Sequence, residues 1–246
     1  MKSFALIGHP LGHSFSKSYF TEKFEREHID ACYDLFDLAS IDELPRLLAS
    51  HPDLCGFNVT IPYKEAIIPY LDELDNIAQE VGAVNTVKVL PNGKMKGYNT
   101  DVLGLEHLVS RFSLPNSQPA LLLGTGGASK AVQYVLRKNG IPFHLVSRSS
   151  GKADFTYDEL TPDIIKSHLL IVNATPVGMF PHVEVAPLIP YEAITNRHVL
   201  FDLIYNPEET RFLRHGREHG ADTINGIGML HAQAEASWEV WKSPFL

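Results

Sequence analysis

Cysteine is nearly absent: the 246 residues hold two, Cys32 and Cys55. Two cannot staple a chain of this length, which excludes a disulfide scaffold and points to a reduced, cytoplasmic setting. Long apolar runs are missing as well. The first one is broken by Gly8, His9 and Pro10, too early for the hydrophobic segment of a secretory signal, and no span reaches the length a bilayer requires, so no membrane partner is expected. Basic runs are lacking too. With 21 Lys and Arg against 29 Asp and Glu, the net charge of −8 leaves no footprint for a phosphate backbone, and nucleic acid is excluded as an expected partner. No solenoid repeat is present, and the 17 Gly and 16 Pro are scattered, which excludes collagenous and low-complexity classes.

What is present is an ordinary globular composition, enough for one large domain or two modest ones. Short runs rich in Val, Ile, Leu and Phe alternate with helical patterns, the signature of βα units around a mostly parallel sheet. Strands are expected near Phe4–Gly8, Tyr33–Leu38, Gly56–Thr60, Val84–Leu90, Leu121–Gly124, Phe143–Ser147, Leu169–Asn173 and Val199–Ile204. The spacing of Phe20 and Phe24 predicts a helix from Ser16, as N-cap, to about His28. Pro91-Asn92-Gly93 reads as a hairpin turn. Arg111–Pro119 is the most linker-like stretch, and a fresh βαβ series follows it. The last helical pattern runs from about Gly228 to Trp241, and periodicity alone does not decide what it packs against.

Strand, glycine turn and helix follow one another at Gly124-Thr125-Gly126-Gly127-Ala128-Ser129, the order in which a dinucleotide's pyrophosphate meets a helix N-terminus. Where an NAD site places an acid, the next strand ends in Ser147-Arg148-Ser149, and cation and hydroxyls suit a 2′-phosphate; the plain alternative for Arg148 is a solvated surface arginine. Ser14 and Ser16 lie at a helix start, suited to an anion or to local capping. Pro62 opens an expected helix with Lys64 in its first turn, a position the helix dipole disfavours for a cation. Asp101 precedes another, over Val102–Arg111, either as N-cap or as partner of Lys64 in moving the proton that accompanies hydride transfer. Asn85 is a ligand contact or a satisfied structural amide. Asn58 and Asn173 head N-x-T sequons that carry no glycan in a cytoplasmic protein, so they require another explanation. His215-Gly216-Arg217-Glu218-His219 spells a metalloprotease pattern, but Gly216 and Arg217 inside the supposed metal helix and the lack of a third ligand speak for a solvated helix, and no metal is expected.

Taken together, the ordered segments GHPLGHSFS (8–16), NVTIPYKE (58–65), GAVNTV (82–87), GYNTD (97–101), GTGGAS (124–129), VSRS (146–149), NATPVGM (173–179), DLIYNP (202–207) and NGIGMLHAQAEASWEVW (225–241) resemble the shikimate dehydrogenase family from end to end. The resemblance implies a two-part α/β enzyme: a substrate-binding α/β domain over 1–110 and 225–246, a Rossmann-like doubly wound NADP-binding domain over 111–224, and an active site in the cleft between them. It implies NADP-dependent reduction of 3-dehydroshikimate to shikimate, a step towards chorismate and the aromatic amino acids. Ser14 and Ser16 would bind the substrate carboxylate, Thr60, Asn85 and Gln233 its hydroxyls, and Lys64 and Asp101 would form the catalytic pair. Gly124, Gly126, Gly127 and Ala128 would hold the pyrophosphate and Arg148 and Ser149, beside Ser147, the 2′-phosphate. Asn173, Thr175, Gly226 and Met229 would line the nicotinamide side, together with Tyr205, which counts among the substrate residues. The final helix, carrying Gln233, would return to the first domain, and the assembly would be a monomer or homodimer. Phe15, Lys17-Ser18 and Asn225 depart from the family pattern, and the stretch from Ser149 to Thr161 is short. The rival readings are a dual-specificity quinate/shikimate dehydrogenase and a non-catalytic regulatory module that binds NADP or another ligand.

Overall fold

The computed structural model describes residues 1–12, 14–109 and 118–243. The expected linker lies largely outside them, from Arg111 to Ser117, as does His13. The chain forms two compact units, one of residues 1–100 with 233–246 and one of residues 101–232.

The first unit holds β1 (Lys2–Gly8), α1 (Phe15–Arg26), β2 (Ala31–Asp37), α2 (Leu44–Ser50), β3 (Leu54–Val59), β4 (Glu73–Leu74), α3 (Asn76–Val81), β5 (Thr86–Val89) and β6 (Met95–Tyr98). Its sheet runs β2-β1-β3-β5-β6-β4, with β1 parallel to β2 and β3, and β5 antiparallel to β3 and β6. The β5–β6 hairpin turns at Pro91-Asn92-Gly93 as expected, with Gly93 at φ +80°. Both faces of β1 are buried, and side chains alternate between them: Ala5 and Ile7 join Phe57, Val59 and Ile67, while Phe4 and Leu6 join Phe20, Phe24 and Tyr33.

The second unit holds α4 (Asp101–Val109), β7 (Ala120–Leu123), α5 (Gly127–Lys138), β8 (Phe143–Ser147), β9 (Phe155–Thr156), α6 (Pro162–Ser167), β10 (Leu170–Asn173), β11 (Val199–Asp202), α7 (Arg211–Glu218) and β12 (Asp222–Ile224). Its six strands are all parallel, in the order β12-β11-β10-β7-β8-β9. This is the doubly wound pattern, and the order reverses beside β7. The unit division falls inside α8 (Ile227–Lys242). From Gln233 on, this helix buries Gln233, Ala234, Ser237, Trp238 and Trp241, a stripe at helical spacing that covers the Phe4–Phe20–Phe24 face of the first sheet. Trp241 stacks on Phe4 with ring centroids 4.7 Å apart and donates its indole N–H to Val87 O at 3.0 Å.

Three local expectations need correction. Helix α1 starts at Phe15 with Ser14, not Ser16, as N-cap, and Ser14 makes no side-chain capping bond. The Ser16 hydroxyl pairs instead with the Tyr33 phenol. No helix follows Pro62. Residues 61–67 form turns, Ile67 N bonds to Tyr63 O, and the chain tightens into a 3₁₀ turn at Ile68–Tyr70. Pro69 has no N–H with which to continue an α-helix, so the helix-dipole argument about Lys64 falls away. Finally, α4 opens at Asp101 itself, one residue earlier than expected.

Candidate active site

In the first unit Asn85, Gln233 and, through Tyr33, Ser16 belong to one buried polar network. Asn58, at the end of β3, accepts from the Tyr33 hydroxyl at 2.8 Å. Its Nδ2 lies 3.2 Å from Asn85 O, 3.1 Å from Thr86 Oγ1 and 3.0 Å from Ser237 Oγ. Asn85 Oδ1 accepts from Thr100 N at 2.7 Å, and Asn85 Nδ2 donates to Thr100 Oγ1 at 3.0 Å and to Gln233 Oε1 at 3.5 Å. Ser237 Oγ donates to Gln233 O at 2.9 Å. The structure thus brings Asn85 and Gln233 together although 148 positions separate them, and it links Ser16 to the same set through Tyr33 and Asn58. Burial raises the Tyr33 phenol's pKa, so it stays a neutral hydrogen-bonding link.

The loop that leads to Ser14 is tied down by Asp37. Its carboxylate meets His9 Nδ1 at 2.6 Å and accepts from Leu11 N at 3.1 Å, and these contacts hold its pKa below the usual aspartate value. His9 N donates to Ile61 O at 3.0 Å, and a Cβ at Gly8 would stand 2.4 Å from Thr60 Cγ2, so this loop adjoins Thr60. Lys64, half-buried in the turn after Thr60, accepts through its carbonyl from Val84 N at 2.7 Å. Asp101, buried at the start of α4, belongs to the second unit.

In the second unit the glycine turn joins β7 to α5. Gly124 has φ +104°, which a side chain would strain, and a Cβ there would stand 2.9 Å from Thr175 Cγ2. Gly126 caps the 12-residue α5 without a side-chain bond, leaving the cap to backbone N–H groups. Ser129, which closes the glycine segment, is enclosed and donates to Gly124 O at 2.7 Å, which locks the turn. At the end of β8, Ser149 N donates to the buried Ser147 Oγ at 3.2 Å. Arg148 is exposed and in no ion pair among the described residues, with only the Tyr157 phenol in electrostatic reach. A turn that admits close backbone approach, an uncapped helix start and an unengaged guanidinium in place of an acid fit a dinucleotide carrying a 2′-phosphate.

Asn173 is wholly enclosed. Its Nδ2 donates to Asp202 Oδ1 at 3.0 Å and Val177 O at 3.3 Å, and its Oδ1 accepts from Thr175 N and Oγ1 at 3.1 and 2.6 Å. With both donors and both acceptor positions filled, its side chain shapes the loop that presents Thr175. Gly226 N donates to Ile204 O at 3.0 Å, and a Cβ at Gly226 would stand 2.1 Å from Leu203 O, so that loop requires glycine. Met229 is buried against Gly104 of α4, and Tyr205 is half-buried in the loop after β11.

Tyr33, Thr86, Thr100 and Ser237 of the first unit's network, and Asp202 beside Asn173, escape sequence reading; the N-x-T sequons were the available signal for Asn58 and Asn173. His215 and His219 lie on and just past α7, where His219 Nδ1 donates to His215 O at 2.8 Å. No cluster of three potential metal ligands occurs among the described residues.

Comparison with known proteins shows the family. Residues 6–87 match the model of the shikimate dehydrogenase substrate binding domain. An NADP(+) shikimate dehydrogenase of Methanococcus maripaludis is 40% identical over 98% of this chain and 91% of its own length. The structure of the Thermus thermophilus enzyme in complex with NADP(H) and shikimate superposes with TM-score 0.86 at 32% identity, covering 98% of this chain and 94% of that one. A shikimate dehydrogenase from Peptoclostridium difficile gives TM-score 0.87 at 35% identity, over 100% of this chain and 93% of the other. The buried polar network, the glycine turn and the arginine that follows β8 occur here in a chain that matches these enzymes along almost its whole length, and the chain belongs to the shikimate dehydrogenase family.

Proposed function

We propose that the chain catalyses the reversible NADP-dependent interconversion of 3-dehydroshikimate and shikimate. The observation that carries this is the buried amide and hydroxyl network that joins Asn85 to Gln233, side chains whose donors and acceptors suit a ring bearing several hydroxyls; relatives named for this activity support it. Ser14 and Ser16 bind the substrate carboxylate, and Thr60, Asn85, Gln233 and Tyr205 hold the ring. Gly124, Gly126, Gly127 and Ala128 receive the pyrophosphate on backbone N–H groups, and Ser147, Arg148 and Ser149 the 2′-phosphate. Thr175, Gly226 and Met229 line the nicotinamide side, with Asn173 behind Thr175.

When bound, NADPH supplies a hydride to the carbonyl carbon, and NADP+ takes it back in the reverse direction. The Lys64 ammonium delivers the proton to the carbonyl oxygen as the alcohol forms, and Asp101 orients the same oxygen. In the oxidative direction Lys64 takes that proton back. Neither residue has to form a covalent bond with the substrate; position and charge are the protein's contribution.

NADPH absorbance followed with shikimate, quinate and no added substrate in parallel tests the reading. Turnover of shikimate with kcat/KM well above that of quinate supports it. A pocket shaped for shikimate's flatter ring leaves quinate's extra hydroxyl without a partner, a discrimination of up to about a hundredfold. Equal values would move the assignment to a dual-specificity enzyme, and no turnover would favour a regulatory module. We place the enzyme in the cytoplasm as a monomer or homodimer, which light scattering on the purified protein checks. No helix among the described residues is long and apolar enough to cross a membrane.

A further inference from the structure

Asp202, the last residue of β11, is a completely enclosed carboxylate that no described cation accompanies. Three donors converge on it from three different segments. Oδ1 accepts from Asn173 Nδ2 and from Ile204 N, both at 3.0 Å, and Oδ2 accepts from Thr210 Oγ1 at 2.6 Å. Each donor belongs to something that must be held in place. Asn173 shapes the loop after β10 and fixes Thr175, whose methyl group occupies the space a Cβ on Gly124 would need. Ile204 begins the loop that presents Tyr205, and its carbonyl accepts from Gly226 N. Thr210 caps α7 by accepting from Leu213 N at 3.3 Å.

We infer that Asp202 is a positioning residue for the nicotinamide end of the cofactor: its carboxylate ties the loops after β10 and β11 and the start of α7 into one presenting surface. The inference rests on the proposed function. Asp202 touches no ligand, since nothing of it reaches the surface. Asn173 Nδ2 and Ile204 N can only donate, and the Thr210 hydroxyl donates here, so the ionised carboxylate accepts from all three. An amide that keeps its oxygen towards Asn173 and Ile204 turns its N–H towards Thr210, whose hydroxyl then loses its short bond to Oδ2, and that loss loosens the loops that meet the nicotinamide. The phosphate-binding end hangs on different backbone, the Gly124–Gly127 turn and the end of β8.

The test compares Asp202→Asn with wild type in calorimetric binding of NADP+ and of adenosine 2′,5′-bisphosphate, which carries the 2′-phosphate end without nicotinamide. The expected result is NADP+ weakened by about tenfold or more while the bisphosphate stays within about twofold, with the KM for shikimate changed less than kcat. Equal weakening of both ligands would show a merely structural loss and overturn the inference, as would no change in either. Wild-type protein that binds neither would overturn the functional reading itself, a result distinct from these. If Asp202→Asn does not fold, Thr210→Val and Thr210→Ser decide. Valine removes the donor to Oδ2 and should reproduce the split in smaller measure, whereas serine keeps the hydroxyl and should bind both ligands as wild type does. A valine variant with unaltered NADP+ binding would overturn the inference.

Discussion

At the scale of single residues, the chemistry assigned to Lys64 and Arg148 separates cleanly in experiment. Lys64→Ala removes the proton donor while leaving the serines, amides and cofactor residues in place. Its kcat should fall by about 10²- to 10⁴-fold with little change in shikimate affinity. Steady-state kinetics on the folded variant check this; turnover within a few-fold of wild type would refute the role. Arg148 presents an exposed guanidinium with no carboxylate partner among the described residues. Arg148→Ala should weaken NADP+ far more than NAD+, because only the former brings a 2′-phosphate for a bidentate pair. Equal losses in paired binding titrations would reduce Arg148 to a structural surface residue. Asp37 and Asp202 show how the same side chain serves opposite ends: beside His9 and Leu11 N the exposed Asp37 carboxyl is held down, whereas burial pushes Asp202 up to about 6.

At the scale of elements, α8 depends on its carboxyl-terminal half for anchorage to the first sheet. Trp241 contributes a ring stacked on Phe4 and an indole hydrogen bond to β5, and Lys88, buried on β5, donates to Val240 O at 2.9 Å and Ser243 O at 2.7 Å near the helix end. Near the other end of this anchored segment, Glu235 accepts from Tyr19 and Lys23 of α1. Gln233 therefore sits on a helix held by three separate devices. Trp241→Ala should lower stability by about 3 to 5 kcal/mol through lost packing, with a residual cavity. Urea denaturation measures it, and a loss below about 1 kcal/mol, on the order of a surface substitution, would show that α8 is not anchored through this ring. The KM for shikimate should rise as well, since Gln233 lies about two turns earlier on the same inward stripe.

For the whole molecule, Asp202 sets a pH dependence whose sign follows from its environment. Burial raises its folded pKa to about 6, above the ordinary aspartate value of 3.8. The folded chain therefore takes up a proton at a pH where the unfolded chain has none, so this contribution to stability is complete below the unfolded pKa and is lost as pH rises through the folded one. It amounts to a few kcal/mol at most, on the order of 3. Relative to Asp202→Asn, wild-type protein should gain stability as the pH falls from about 7 to about 5. A difference between the two that stays constant across that range, in parallel denaturation curves, would contradict the assignment. The retention of such a costly group in the second unit is intelligible if the three donors it satisfies matter more than the stability it forgoes.

Much of this protein is local, and the sequence by itself determined that part. Strand and helix alternation follows from apolar periodicity, the hairpin from Pro91-Asn92-Gly93, and the glycine turn with its arginine-ended strand from residue types a few positions apart; β8 spans the same residues that its apolar run marks out. What only the tertiary structure decided concerns partners far apart along the chain. Asn58 reads only as the head of an N-x-T sequon until Ser237, 179 residues away, arrives beside it. Asn173 becomes the support of a loop only when Asp202 stands 29 residues on with its carboxylate facing it. Ser16 looks like a helix cap, yet Tyr33 takes its hydroxyl; the turn around Lys64 looks like a helix, yet Pro69 ends it after a single turn. The strand order of the first sheet and the division inside α8 belong to the same class. A hydrogen-bonding side chain carries its donors and acceptors in its own chemistry, but which of them are satisfied, and by what, is settled by burial, and burial is a property of the packed chain.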